Sequence, residues 1–204
     1  GRRLGVLIRE VKTSADDELS LVLAVGSDTV GDVQVVPEGG DPEAVPPRVS
    51  VDDFSRIRFA DLLAQVGVRA ERVGLPGVQD KVSTAILNLP VARAGERFIL
   101  KLNPPEYRHL VENEAFFLTA ARKSGLEVVD ARVVTDADSA SALLVRRFDR
   151  VTVDGRLVGL AVEDACQVAG RSPADKYVIA AESALGGLAR VCDARLVAGR
   201  ALLM

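Results

Sequence analysis

Four stretches of this sequence hold residues whose type and spacing could do chemistry. Leu75-Pro76-Gly77-Val78-Gln79-Asp80-Lys81 is a small-residue loop feeding a strand-like run. A glycine there lets backbone N–H groups approach a phosphate, so Gly77, Val78, Gln79 and Lys81 are candidate anion contacts. An ordinary turn has the same composition, and the second glycine and Gly-Lys-Ser/Thr ending of a Walker loop are absent. Lys101 stands inside Phe98-Ile99-Leu100-Lys101-Leu102. An ammonium in an apolar strand is costly unless anions meet it, although an edge-strand lysine can simply reach water. Glu112 and Glu114 open the next helical stretch, about 200° apart around a helix, so one can face Lys101 while the other faces water. Offsetting the helix dipole is a simpler use for both. Finally, Leu143 to Arg150 is an apolar strand ending in a polar turn. As a plain surface turn it would leave Arg146 and Arg147 solvated and Asp149 paired with a neighbouring arginine.

The elements that must position these residues follow from periodicity. Leu4–Val11 and Leu19–Val25 have helical spacing, with Asp16, Asp17 and Glu18 at the second N-terminus and Gly26 as a stop. Val30–Val36 predicts a strand, Pro37–Pro47 a loop, and Val51–Val66 a helix with Ile57, Phe59, Leu62 and Leu63 on its apolar side. Val82–Leu89 and Phe98–Leu102 predict a hairpin turning through Ala92–Gly95. Leu110–Ser124 predicts a helix stopped by Gly125. Ala131–Thr135 and Ala142–Arg147 predict strands, and Val151–Leu160 a hairpin about Asp154-Gly155. From Val162 the pattern is mainly helical. A boundary is expected near residues 68–72.

The bulk numbers narrow the classes. The 204 residues are 48% hydrophobic and 27% charged, which fits a folded core. A net charge of -3 gives no basic face for direct nucleic-acid binding. Two cysteines (Cys166, Cys192) and one histidine (His109) offer no zinc spacing. Reduced thiols point to a cytoplasmic setting, with Cys166 expected in a helix core. No run approaches the ~18–20 apolar residues of a membrane span, and residues 1–7 lack the pattern of a signal peptide. Arg190, Arg195 and Arg200 recur every five residues, which spreads them around a helix.

In order, these pieces are a glycine loop, a hairpin with a strand lysine, an acidic helix, a strand and a connector. In that order the chain resembles the HipA-type toxin kinases of bacteria over more than 150 residues. Val25-Gly26-Ser27-Asp28-Thr29-Val30-Gly31-Asp32-Val33 is similar to the segment joining the family's first helix to a sheet. Gly77–Lys81 is similar to its signature loop, Ile99-Leu100-Lys101 to its strand lysine, and Glu112-Asn113-Glu114 to the helix that follows. Leu144 to Arg150 resembles the connector between lobes. Glu163–Gln167 with Lys176-Tyr177 resembles the first helical region of the second lobe. The resemblance implies an α+β, protein-kinase-like N-lobe with an antiparallel sheet and helices, followed by the first helices of a helical C-lobe. The parts would be an N-terminal subdomain at 1–70, a nucleotide-binding region at 71–150 and the start of the C-lobe at 151–204.

What the family does sets further expectations. Its members are serine/threonine kinases that use ATP and Mg2+ on protein substrates and are neutralised by a helix-turn-helix antitoxin. The Gly77 loop would cover the phosphates and Lys101 would contact them, with Glu112 or Glu114 as its partner. The backbone near Arg146 and Phe148 would hold adenine, and Asp149 would reach the ribose or cap the next turn. Two departures stand out. The serine that members can phosphorylate, three residues before the loop glycine, is Gly74 here, and Ser83 and Thr84 are not its equivalents. Phosphoryl transfer also needs Asp and Asn on a catalytic loop, and no such loop follows Tyr177. The expectation is therefore a chain with no catalytic residues and no Mg2+ ligands of its own, inactive alone and binding nucleotide weakly at most. The alternative is an inactive remnant that holds nucleotide or docks an antitoxin-like partner; an unrelated α/β protein is the third reading.

Overall fold

The computed structural model describes residues 8, 11–40, 51–66, 87–93, 96–103, 108–172 and 178–203. Strand alternation in the middle of the chain sets the architecture. β1 (Leu87–Arg93) and β2 (Glu96–Leu102) pair antiparallel, with Leu89 opposite Leu100. β3 (Ala131–Thr135) and β4 (Ser141–Arg146) pair likewise. The four form one sheet in the order β1-β2-β4-β3, in which β4 lies against β2 and Leu143 stands opposite Lys101. The sheet carries its hairpin further than the sequence predicts. Ala92 is paired with Arg97 and Arg93 with Glu96, so both belong to the strand and not to the turn.

β4 is buried along Ala142, Leu143, Leu144 and Val145, a continuous apolar run that requires cover on both faces. Leu100, Ala142 and Leu144 point to one face, where Val51, Phe54, Phe59 and Leu62 cover them. Ile99, Leu143 and Val145 point to the other, under Val111, Ala115 and Leu118. Each fully buried leucine in this double layer contributes roughly 1.5–3 kcal/mol of transfer free energy.

Among the helices, α1 (Glu18–Val25) begins at Asp17, whose carboxylate accepts from the Ser20 N–H at 3.1 Å. The helix expected at 4–11 falls mostly outside the described residues. The strand expected at Val30–Val36 is not one: after a tight turn at Gly26–Asp28 the chain bends through Gly31 (φ +94°) and runs extended without a partner strand. Its hydrogen bonds go elsewhere, as described below. The helix expected over 51–66 is also shorter. Asp53 caps a 3-10 turn at Phe54–Arg56, Ile57 is extended, and α2 covers only Phe59–Val66. The break has a cause in Asp136, which accepts from the Phe59 N–H at 2.7 Å and so fixes a new helix start. Phe54 meets Phe59 edge-on, with ring centroids 6.2 Å apart.

α3 (Leu110–Lys123) matches its prediction closely. Gly125 takes φ +86°, and Leu126 and Gly125 donate to the carbonyls of Ala121 and Arg122; this is the Schellman closure that favours glycine. His109 precedes the helix in a left-handed conformation, exposed and without a side-chain cap bond. β5 (Arg150–Val153) and β6 (Arg156–Gly159) form the hairpin predicted from Asp154-Gly155, both with positive φ as a type I′ turn requires. α4 (Ala165–Val168) is capped reciprocally by Asp164 and Gln167 and buries Cys166. α5 (Ala181–Val191) and α6 (Ala194–Leu203) complete the helical region, with Arg190, Arg195 and Arg200 exposed. Among the described residues, no helix is long and apolar enough to cross a membrane.

Candidate functional site

Lys101 sits on β2 on the face covered by α3, beside Ile99 and opposite Leu143. Its ammonium meets Glu114 Oε1 at 2.6 Å, with both side chains about a quarter exposed. The pair is therefore neither lost in the core nor free in solvent. The helix turn separates the two glutamates as the geometry requires, and Glu114 is the one facing the lysine. Glu112 is not left to water: its Oε2 accepts from Asn103 Nδ2 at 3.0 Å. Burial works against the Glu112 charge, but the hydrogen bond from Asn103 and others outweigh it and hold the carboxyl below its usual range. Asn103 Oδ1 in turn accepts from the Val111 N–H at 2.9 Å, a side-chain cap on the start of α3. Asn103 was not singled out from sequence. Its position just after β2 and ahead of an uncapped helix start is the signal that could have found it.

The connector after β4 divides its residues sharply. Arg146 is exposed and pairs with Glu96 at 2.6 Å. Phe148 is 65% exposed. Arg147 and Asp149 are buried, at 4% and 3% exposure. Arg147 donates Nε and Nη2 to Asp149 at 3.0 and 2.7 Å and Nη1 to Asp28 at 2.7 Å. Arg150 Nη1 adds a third cationic contact to Asp149 at 2.9 Å, and the Gly31 N–H donates to the same carboxylate at 3.1 Å. Burial opposes the Arg147 charge, yet the hydrogen bonds of Asp149 and the charges of Asp28 and Asp149 raise its pKa above the ordinary guanidinium value. Burial likewise opposes the Asp149 carboxylate, and Arg147, Gly31 and Arg150 still hold it below the usual range. Arg97, nearby on β2, shifts the other way because burial dominates. The Asp149 carboxylate is thus engaged inside the chain, not held out toward a ligand, and Arg147 is buried where a plain surface turn would leave it solvated.

Gly77, Val78, Gln79 and Lys81, like Gly74, lie outside the described residues. Among the described residues, no group of three or more His, Cys, Asp or Glu could hold a metal ion. Both cysteines are free thiols, Cys166 buried and Cys192 exposed. An open groove lies between the Phe54 turn and β3, lined by Asp52, Phe54, Arg93, Arg132 and Val134. Val134 packs into the core opposite α3, so this groove is on the other face of the sheet from Lys101.

A four-stranded antiparallel sheet with a lysine–glutamate pair tying its second strand to a covering helix defines an α+β, protein-kinase-like fold. The structure is similar, at a TM-score of 0.61 and 23% identity, to HipA of Shewanella oneidensis MR-1 solved with HipB and its operator DNA, covering 90% of this chain and 45% of that one. The HipA-like C-terminal domain family model matches residues 73–201, and the chain belongs to that family. Two relatives are similar along most of this sequence. The Sinorhizobium fredii protein Y4mE, named as an inferred kinase, is 28% identical over 84% of this chain and 44% of its own length. The serine/threonine-protein kinase toxin HipA of Shewanella oneidensis is 29% identical over 85% of this chain and 42% of its own. The chain thus spans less than half the length of these relatives.

Proposed function

We propose that this chain is the nucleotide-holding part of a HipA-type serine/threonine kinase that uses ATP on a protein substrate. The observation that supports this reading most is the half-buried Lys101–Glu114 pair at 2.6 Å, inside the region matched by the family model. A lysine held by a helix carboxylate keeps its charge on a defined axis, where it can neutralise phosphate oxygens without a large reorganisation. The Gly77 loop would cover those phosphates. Adenine would lie toward the connector, at the backbone near Arg146 and Phe148, where the Phe148 N–H has no backbone partner among the described residues. That free donor suits the edge of a planar base. Asp149 acts in this reading by holding the connector, not by touching ribose. Mg2+ would accompany the ATP phosphates, as it does in phosphoryl-transfer sites generally. The partner proposed is a helix-turn-helix antitoxin, and the setting a cytoplasmic one.

Calorimetric titration of the chain with ATP tests the reading. Lys101→Ala should weaken binding by about tenfold or more, the scale of one lost charge-assisted contact of ~1.5–3 kcal/mol. Equal affinity for the two proteins would remove Lys101 from the site.

A further inference from the structure

The best-bonded polar cluster in the described chain joins two segments almost 120 residues apart, and the nucleotide reading does not explain it. Beyond its contacts to Asp28 and Asp149, Arg147 donates to the Thr29 carbonyl at 2.9 Å. Arg150 donates to the carbonyls of Thr29 at 2.7 Å, Gly31 at 2.7 Å and Asp149 at 3.0 Å, and to Asp28 at 3.4 Å. Two arginines thus grip two backbone carbonyls of one loop, while two aspartates balance their charge. Such contacts read the path of the main chain, and only one loop shape satisfies them. Gly31 provides that shape through its positive φ. The approach is close on the other side as well: a Cβ at Gly159 would stand 3.1 Å from both the Gly31 oxygen and the Asp32 Cα.

The connector is pinned around this cluster. The N–H groups of Arg146 and Arg147 go to the carbonyls of Asp130 and Arg97 at 2.8 and 2.9 Å, and Leu160 donates to the Asp149 carbonyl at 2.9 Å. Between these fixed points lies Phe148, with an exposed ring and no backbone partner among the described residues. We propose that the Asp28–Gly31 loop is a clamp that sets the main-chain geometry at Arg147 and Phe148, which makes Asp28 a positioning residue for recognition of the nucleotide base. The proposal rests on the nucleotide reading above and deepens it. The clamp acts on the base end of the ligand, whereas Lys101 acts on the phosphate end.

The two ends can be separated by titrating the chain with ATP and with inorganic tripolyphosphate, which has no base. Asp28→Asn keeps the side-chain volume but removes the charge that Arg147 and Arg150 face. The expected result is a loss of ATP affinity of roughly tenfold, with tripolyphosphate affinity changed by less than about twofold. A general loosening of the fold would weaken both ligands alike, and that result overturns the proposal, as does an Asp28→Asn protein that binds ATP normally. Should the single variant fail to fold, the charge-balanced Asp28→Asn/Arg150→Gln pair leaves no lone buried charge and should show the same selective loss. If wild type binds ATP and tripolyphosphate equally well, the clamp idea fails while the nucleotide site stands. If wild type binds neither, the nucleotide reading falls and the clamp's role with it.

Discussion

At the scale of single residues, charge placement is the informative feature. Asp149 is the clearest case, because its carboxyl is held below its ordinary pKa by Arg147, Gly31 and Arg150 against the effect of burial. A carboxyl depressed in the folded state adds stability above its unfolded pKa of about 3.9 and loses it as pH falls through the folded value. The melting temperature of the chain should therefore drop as pH goes below about 4. Asp149→Asn should melt lower at pH 7 and show a flatter acid limb, which thermal denaturation monitored by circular dichroism at stepped pH would reveal. An unchanged acid limb in the variant would mean that folding does not lower the Asp149 pKa. Some of this was legible beforehand. The 3.6-residue period already required Glu112 and Glu114 to part company, and a buried strand lysine needs a carboxylate. The pairing of Asp149 with a neighbouring arginine was one of two readings of the connector. The role of Asp28 was not readable, because its arginines stand 119 and 122 positions away and nothing local links them.

At the scale of elements, the long hydrophobic periods were reliable and the capped breaks were not. α3 and the Asp154-Gly155 hairpin follow from local signals: an apolar helical stripe closed by Gly125, and a dipeptide suited to positive φ. The segment 51–66 failed as one helix because its interruption is imposed from a distant turn. Asp136 accepts from Phe59 at 2.7 Å, from Asp138 at 2.9 Å and from Ala140 at 2.8 Å, all backbone N–H groups. It thereby shapes the β3–β4 turn and starts α2 at once. Asp136→Ala leaves these donors unserved, and urea denaturation should show a loss of about 2 kcal/mol. Asp136→Asn should cost less, since its amide oxygen retains part of the set. Val30–Val36 misled for a related reason: valines at strand spacing met no neighbouring strand, and arginine side chains took the carbonyls of Thr29 and Gly31 instead.

At the scale of the whole molecule, the sheet is the plate that organises everything else. One face is sealed by residues 51–62, and the other carries α3, Lys101 and Glu114. The connector leaves from the same strand, β4, that lies beside Lys101. In the proposed reading Lys101 and the connector would serve the two ends of one nucleotide, while the open groove near Arg132 lies on the opposite face of the sheet from Lys101. The most direct test is an amide NMR titration of the chain with ATP. The largest shifts should fall on Lys101, Glu114 and the Arg147–Phe148 amides. Shifts confined to the opposite-face groove, at Asp52, Phe54 and Arg132, or no shifts at all, would contradict the account.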